Sequence, residues 1–318
     1  MFRAAAFTDI GPRKKSNQDS CCIRIAESPY GDVAILAVCD GVGGLSSGEL
    51  ASTTVVHWLA VWFATKMPAY MKEGPYDEER FFAHVKEDWA NGLETLNETI
   101  RVYGRETGAP LGTTCTVGLF CNEHYLVAHV GDSRIYRFHS MKPYIITEDQ
   151  TYVAREVARG NIAPEEARHH PRRNIILQSV GTQSGIEPAF YEGEYEAGDV
   201  FIAACDGLLH EVYDEELCGA FGALGEASEV DIQNTCERIV RLNLERGEND
   251  NITVACLVSM IESPYVTGEL GGSASFEEGC SSAVSAAATP ASAADAPTAI
   301  FGAADAPTEV LEGGEYRG

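Results

Sequence analysis

The sequence predicts an α+β protein whose sheets and helices lie in separate layers. Short apolar, β-branched runs recur between turn residues, and only a few long stretches carry helical spacing. The stretch "LVAHVGDSRIYRF" at 126–138 reads as two strands around a Gly-Asp turn. Such neighbours fit antiparallel sheets with helices layered on them, not alternating strand–helix–strand units.

In chain order, strands are expected at about 19–26 and 33–39, both rich in apolar residues. A helix is expected at about 46–66, where Ser46 or Ser47 can cap the start and Leu50, Thr54, Trp58 and Val61 mark an apolar stripe. A second long helix at about 77–104 sets Phe81, Val85, Trp89, Leu93 and Leu96 on one side. Strands follow at about 113–121, 124–130 and 133–139, then at about 199–205. Helices at about 214–222 and 229–246 and a last strand at about 251–259 complete the pattern.

Composition changes near residue 262, so residues 1–261 are expected to form one domain and 262–318 a tail. The tail is rich in Ala, Ser, Gly and Pro and carries nine acidic residues against one basic residue, Arg317, a net charge of −8. It offers too little apolar side chain to offset its ordering entropy, and disorder is expected. The segment "AADAPT" occurs at 293–298 and again at 303–308, too short a repeat for a solenoid. Thr298 and Thr308 hold equivalent places in it, with Phe301 and Leu311 three positions on. Phosphorylated there, they would offer a docking site to a phosphothreonine-binding partner; the plainer reading is a solubilising tail.

The net charge of −25 argues against nucleic acid or an anionic membrane as the main partner, since both require a basic face. No run of 18 apolar residues and no signal-peptide core occurs, so neither a membrane span nor secretion is expected. The ten cysteines include no Cys-x-x-Cys pair, and several sit inside apolar runs as small fillers. That usage fits a reducing compartment, and the cytosol is the expected location.

Five aspartates stand at the ends of expected strands. Asp40 follows "VAILAVC" and precedes Gly41; Asp206 follows "DVFIAAC" and precedes Gly207; Asp132 lies in the Gly-Asp turn; Asp250 and Asp19 each sit just before a strand. One Asp-Gly pair alone is a turn signal. Five acids in equivalent places suggest carboxylates that converge, and like charges at close range need protons or cations among them. Oxygen donors suit hard divalent ions such as Mg²⁺ or Mn²⁺. Two ions about 3.5–4 Å apart can share a water and lower its pKa to make a nucleophile. The carbonyl of Gly41, free of a side chain, can approach such an ion closely. Arg13, Lys14 and Lys15 form the dense basic cluster near these acids and could hold an anionic substrate, or could be a solvated loop.

The motifs "RKKSNQDS", "CDGVGG", "LGTTCTVGLF", "VGDSRIYRF", "ITEDQTYV", "CDGLLHEV" and "NDNITVACLV" complete the picture. In their order, from about residue 5 to 260, the chain resembles the metal-dependent PP2C-type (PPM) protein serine/threonine phosphatases in their bacterial form. The resemblance implies a four-layer αββα sandwich, two antiparallel sheets flanked by helices. It implies that Asp40 bridges two catalytic metals, Gly41 gives a carbonyl ligand, and Asp206 and Asp250 complete the direct set. Asp19 would act on a metal mainly through water, and Asp132 with Asp206 would hold a third, weaker ion. The 147–185 region resembles the flap beside the active site, with a basic run from His169 to Arg173 able to meet substrate.

Three positions depart from the family pattern. Lys14 stands where the family places a phosphate-holding arginine, with Arg13 beside it; lysine offers a point charge instead of a planar fork. Gln18 stands where an acid often precedes Asp19. Val42 stands where some members carry a histidine, which leaves protonation of the leaving group to water. The activity implied is hydrolysis of phosphoserine and phosphothreonine monoesters by a hydroxide bridging two metals. Phosphorylated proteins, a partner kinase and its substrates are the implied partners. No Cys-x5-Arg stretch occurs, so a cysteine nucleophile is not expected. The alternatives are a non-catalytic phosphoprotein-binding module of the same fold, which should lack a metal carboxylate, and a phosphatase dedicated to one partner, which should carry an added sensory or coiled-coil domain.

Overall fold

The computed structural model describes residues 1–42, 47–72 and 77–260. Ser46, the 262–318 tail and its two threonines lie outside the described residues. The strands are β1 (Phe2–Asp9), β2 (Ser20–Ser28), β3 (Gly31–Cys39), β4 (Cys115–Cys121), β5 (His124–Val130), β6 (Arg134–His139), β7 (Lys142–Ile145), β8 (Ala189–Glu194), β9 (Val200–Ala204) and β10 (Ile252–Ser259). The helices are α1 (Gly48–Tyr70), α2 (Glu78–Thr107), α3 (Tyr152–Ala158), α4 (Pro164–Ala167), α5 (Asp206–Leu209), α6 (Asp214–Phe221) and α7 (Glu229–Glu245).

The strands form two five-stranded sheets, ordered β1-β10-β9-β6-β7 and β2-β3-β4-β5-β8. Every pairing in both is antiparallel. Between the sheets lies an apolar layer that includes Leu36, Val38, Phe120, Val127, Ile135, Phe201 and Leu257. Side chains on the opposite face of the second sheet, such as Ile35 and Val117, pack with Val55, Leu59, Trp62, Trp89 and Leu93 of α1 and α2. Ile202 and Val254, on the outer face of the first sheet, pack with Phe221, Ile232 and Ile239 of α6 and α7. Helix, sheet, sheet and helix therefore stack as the four layers that the resemblance implied.

The sequence pattern located the central strands, the edge strand β2 and the long helices, and missed the edge strands β1, β7 and β8 and the short helices α3–α5. Strand β1, "FRAAAFTD", is too rich in alanine to read as a strand; β10 recruits it residue for residue from Phe2–Ser259 to Asp9–Ile252. Strands β7 and β8 are exposed or half-buried and lack an apolar run. Helix α2 begins at its Asp77 cap, whose side chain accepts from the Arg80 N–H, and ends on Gly108 in the left-handed region. All five of its expected apolar residues are buried.

Helix α1 is different. Ser47 stands at its N-cap but makes no side-chain capping bond, and Val61 is 46 % exposed. Of the expected stripe Thr54 is buried and Leu50 and Trp58 are half-buried, while the buried face also runs through Ala51, Val55, Leu59, Trp62 and Phe63. The segment "VVHWLAVWFA" is apolar all round, so its periodicity does not single out one face.

The stretch at 126–138 does not form a hairpin within one sheet. Strand β5 belongs to the second sheet and β6 to the first, so the Gly131–Ser133 turn crosses between sheets. The link from β1 to β2 also crosses. Register shows where these crossings lie. Cys39 pairs with Ser20, Val130 with Cys115, Ala204 with both Val254 and Arg134, and Asp9 with Ile252. All five aspartates thus fall at one end of the sandwich.

One buried side chain ties the helical layer to this end. Asn97 of α2 accepts from the Gly181 N–H at 2.7 Å and donates to the Gln183 carbonyl at 3.1 Å. The adjacent Val180 pairs with Thr113 through two backbone bonds of 3.0 and 2.8 Å. We expect Asn97→Ala to lower stability by about 1–3 kcal/mol in urea denaturation, the cost of leaving a buried backbone donor without its partner. A change below about 0.5 kcal/mol would mean that the tie carries no net stability.

Candidate metal centre

Each aspartate is placed by main-chain contacts that the sequence pattern does not reveal. The Asp40 N–H donates to Thr114 Oγ1 at 2.8 Å, and the Asp40 carbonyl accepts from the Thr114 N–H at 2.8 Å and from Thr113 Oγ1 at 2.9 Å. Thr114 Oγ1 in turn bonds Ser133 Oγ at 2.9 Å, next to Asp132. The Gly41 N–H donates to the Gln18 carbonyl at 3.1 Å, joining the strand ends that carry Asp40 and Asp19. A Cβ at Gly41 would lie 2.7 Å from Gln18 Cβ, from its carbonyl oxygen and from the Gly48 carbonyl carbon. Only glycine fits there. Gly207 is tighter: its Cβ would sit 2.0 Å from the Asn251 carbonyl oxygen. The Asp-Gly pairs are close approaches between loops, not free turns.

The carboxylates share one site. Asp19 is buried, with Oδ2 accepting from Thr253 Oγ1 at 2.6 Å. Its other oxygen, and Oδ1 of Asp132, are buried with no hydrogen-bond partner. Ligand atoms of Asp19, Asp40 and Cys205 lie within 4.8 Å of one another. Burial and the charges of Asp19, Asp206 and Asp132 push the Asp40 carboxyl well above its usual range. Burial and Asp206 do the same to Asp132. Burial raises Asp19 to about 6, against hydrogen bonds from Thr253 and Cys205 that favour its charged form. These mutual effects unite Asp19, Asp40, Asp132 and Asp206.

Asp250 joins through the cation that faces it. Lys14 Nζ lies 2.5 Å from Asp250 Oδ1. Burial works against the ammonium charge, but the bond to Asp250 and the fields of Asp250, Asp40 and Asp206 raise its pKa overall. Arg13 is exposed. Of the two basic candidates, Lys14 is the one paired with the carboxylates.

The donor set fits divalent cations. It is dominated by carboxylate oxygens, two of them buried and unpartnered, and an ammonium already neutralises one member. Cys205, which ends the apolar run before Asp206, has its thiol pushed well above the ordinary cysteine range by burial and by Asp19, Asp40 and Asp206. It accepts from the Thr253 N–H at 3.0 Å and stays a protonated neighbour of the site. Cys21 and Cys22 are likewise raised by burial, to about 12 and about 11, so neither is a nucleophile.

The flap region packs on the Asp206 loop through one arginine. Arg168 donates to the carbonyls of Leu209, His210 and Val212, and its guanidinium lies 3.9 Å from the centre of the Tyr213 ring. Within the His169–Arg173 run, Arg172 is exposed and stands 5.2 Å from the centre of the Tyr152 ring. Sequence reasoning missed Thr114, Ser133 and Thr253, and also His210 and Glu248. Their types are common in loops, and only their position beside an aspartate marks them.

Two antiparallel sheets with a buried cluster of carboxylates at one end define a sandwich protein with a candidate divalent-metal centre. The Protein phosphatase 2C family profile matches residues 12–230. The chain is 32 % identical over 257 residues to protein phosphatase PhpP of Streptococcus pneumoniae, covering 80 % of this chain and 96 % of that protein. It is 30 % identical to the serine/threonine phosphatase PstP of Mycobacterium tuberculosis over 80 % of this chain and 44 % of that one. The crystal structure of Stp1 from Staphylococcus aureus superposes with a TM-score of 0.67 at 29 % identity, covering 83 % of this chain and 96 % of that one. A structure of the PstP catalytic domain with two manganese ions superposes with a TM-score of 0.64 at 28 % identity, over 82 % and 99 % of the two chains. The chain belongs to the protein phosphatase 2C family.

The raised carboxyls give a pH prediction for the metal-free protein. A carboxyl whose pKa is higher folded than unfolded favours folding while protonated, and that advantage is lost as pH rises through the folded pKa. For Asp19 the window runs from about 4 to about 6. Asp40 and Asp132 lose theirs at higher pH still. Buried His129, lowered to about 4, acts in the opposite sense between about 6.5 and 4, so variants must be compared at each pH. In EDTA, Asp132→Asn should be more stable than wild type by a margin that widens from pH 5 to pH 8 in urea melts. A constant margin from pH 5 to pH 8 would show that Asp132 ionises alike in the folded and unfolded chains, so that burial does not raise its pKa.

Proposed function

We propose that Asp40, Asp206 and Asp250, with the Gly41 carbonyl, hold two divalent ions, Mn²⁺ or Mg²⁺. Asp19 acts on one of them mainly through water, and Asp132 with Asp206 frames a weaker third site. The enzyme is a metal-dependent serine/threonine protein phosphatase acting on phosphorylated proteins, and catalysis, not mere phosphoprotein binding, is the reading that every carboxylate supports. The observation that carries the site assignment is the convergence of buried, mutually repelling aspartates with unpartnered oxygens at one end of the sandwich. A PstP structure with two manganese ions lends the count of two.

Bound divalent cations supply Lewis acidity to the phosphoryl group and lower the pKa of water to make a nucleophile. The chain supplies the rest. Thr113 and Thr114 lock the Asp40 peptide, so its carboxylate keeps its place without reorganising. Lys14 brings an ammonium to the cluster, where phosphoryl oxygens can accept from it as charge develops. Arg13, exposed on the same loop, stands ready as a second cation.

A partner kinase and its substrates are the proposed biological context. Among the described residues no helix is long and apolar enough to cross a membrane. The filler use of cysteine supports a cytoplasmic setting. Thr298 and Thr308 are proposed as phosphorylation sites for a phosphothreonine-binding partner, which incubation with a cognate kinase and mass spectrometry would test. No phosphate on either threonine would remove that proposal.

Phosphate release from a phosphothreonine peptide should require Mn²⁺ or Mg²⁺, stop in EDTA, and fall by at least about 10³-fold in Asp206→Asn. No release by wild type at saturating Mn²⁺ would leave only the non-catalytic module. Lys14→Ala should lower kcat/KM by about 10–100-fold, the worth of a charge-assisted hydrogen bond. If Arg13→Ala causes that loss and Lys14→Ala does not, the phosphate grip belongs to Arg13.

A further inference from the structure

Two side chains link the metal-centre loops without joining the carboxylate cluster itself. Asp206 opens the one-turn helix α5, and His210 follows that helix four residues on, on the same face. His210 Nε2 lies 3.6 Å from Asp206 Oδ2, and its Nδ1 bonds Glu248 Oε2 at 3.0 Å. Glu248, though acidic, is buried. Its other oxygen accepts from the Asn249 N–H at 2.6 Å and from the Asp250 N–H at 2.7 Å. The Asp206 carboxylate thus faces an imidazole at ion-pair distance, and hydrogen bonds run on from that imidazole through a buried carboxylate to the main chain of Asp250.

The anchoring on either side makes this path stiff. Arg168 of the flap holds the His210 carbonyl at 2.7 Å. Buried Asn243 of α7 donates to the carbonyls of Gly207 and Leu208, so α5 cannot swing away from α7. The α5 loop and the loop before β10 already meet where Gly207 faces the Asn251 carbonyl, and the imidazole adds a second, side-chain link between them.

We propose that His210, held by Glu248, is a positioning residue that sets the loop of Asp206 against the loop of Asp250 and so tunes metal affinity. The proposal rests on Asp206 and Asp250 being metal ligands. It gives the pair the role that carboxylate-bonded side chains behind a metal site commonly play, where their loss weakens metal affinity by about 10–100-fold. An ion pair that served only stability would alter unfolding and leave metal affinity alone.

The test is Mn²⁺ titration of the full chain by calorimetry, with folding checked by far-UV circular dichroism. His210→Ala and Glu248→Ala should each weaken Mn²⁺ binding by about 10–100-fold while remaining folded. The double variant should be no weaker than the worse single variant, because the two act as one unit. Unchanged affinity in a folded His210→Ala protein overturns the proposal, and so do losses that simply add in the double variant. Should His210→Ala fail to fold, Glu248→Gln, which keeps the side-chain shape, is judged by the same thresholds. Asp206→Asn separates the two levels. If it binds Mn²⁺ as wild type does, the ligand assignment fails and takes the bridge with it. If it loses binding while His210→Ala keeps it, only the bridge fails.

Discussion

The structure is organised around carboxylates that repel one another in a place with little water. Asp19 and Asp132 are buried, and Asp40 and Asp206 act on them and on each other. Without a counter-charge such a group must bind protons, and the raised pKa values record that demand. A fold that keeps these acids together therefore stores an affinity for cations. Lys14 meets the demand at Asp250 with an ammonium. Asp19 and Asp132 are each left with one buried oxygen that no hydrogen bond satisfies.

Holding repelling groups in place requires a frame that does not yield. Here the frame is the end of the sandwich, where chains cross from one sheet to the other. The Gly131–Ser133 turn joins β5 to β6 across the seam, and the segment from β1 to β2 brings Gln18 against Gly41. At Gly207 and Gly41 the backbones approach so closely that no Cβ would fit. The small residue beside each acid is thus a consequence of packing two loops over one centre. The hydroxyls of Thr113, Thr114 and Ser133 then fix the peptides, which leaves the carboxylates free to face inward.

This division explains what could be read from the sequence. Asp40 and Asp206 were legible because each ends a strongly apolar strand and precedes glycine, a pattern that local chemistry imposes. Helix α2 was legible because its apolar stripe is narrow and its Asp77 cap is local. Strand β1 was not, since alanines become a strand only when β10 offers a partner. The crossing of β5 and β6 was not, because a Gly-Asp turn looks alike within a sheet and between sheets. His210 and Glu248 were hidden for a similar reason. Their meeting depends on α5 and the loop before β10 coming together across 38 residues of chain. The choice between Lys14 and Arg13 as the paired cation needed geometry, because both stand on one short loop.

The net charge of −25 adds a last constraint, because the substrate is itself anionic. A uniformly negative surface would repel phosphoproteins, but charges more than about 8 Å away are largely screened at physiological salt. What a phosphoryl group meets at close range is therefore decided by local side chains. Two basic side chains stand on the loops that carry the acids or pack against them: Lys14 on Asp250 and Arg168 on the His210 carbonyl. Arg168 spends its hydrogen bonds on backbone carbonyls, and its charge also acts on the Glu216 carboxylate. The acidity of the chain and an anionic substrate are thus compatible, because a cation, Lys14, stands directly on the carboxylate cluster and distant acids are screened.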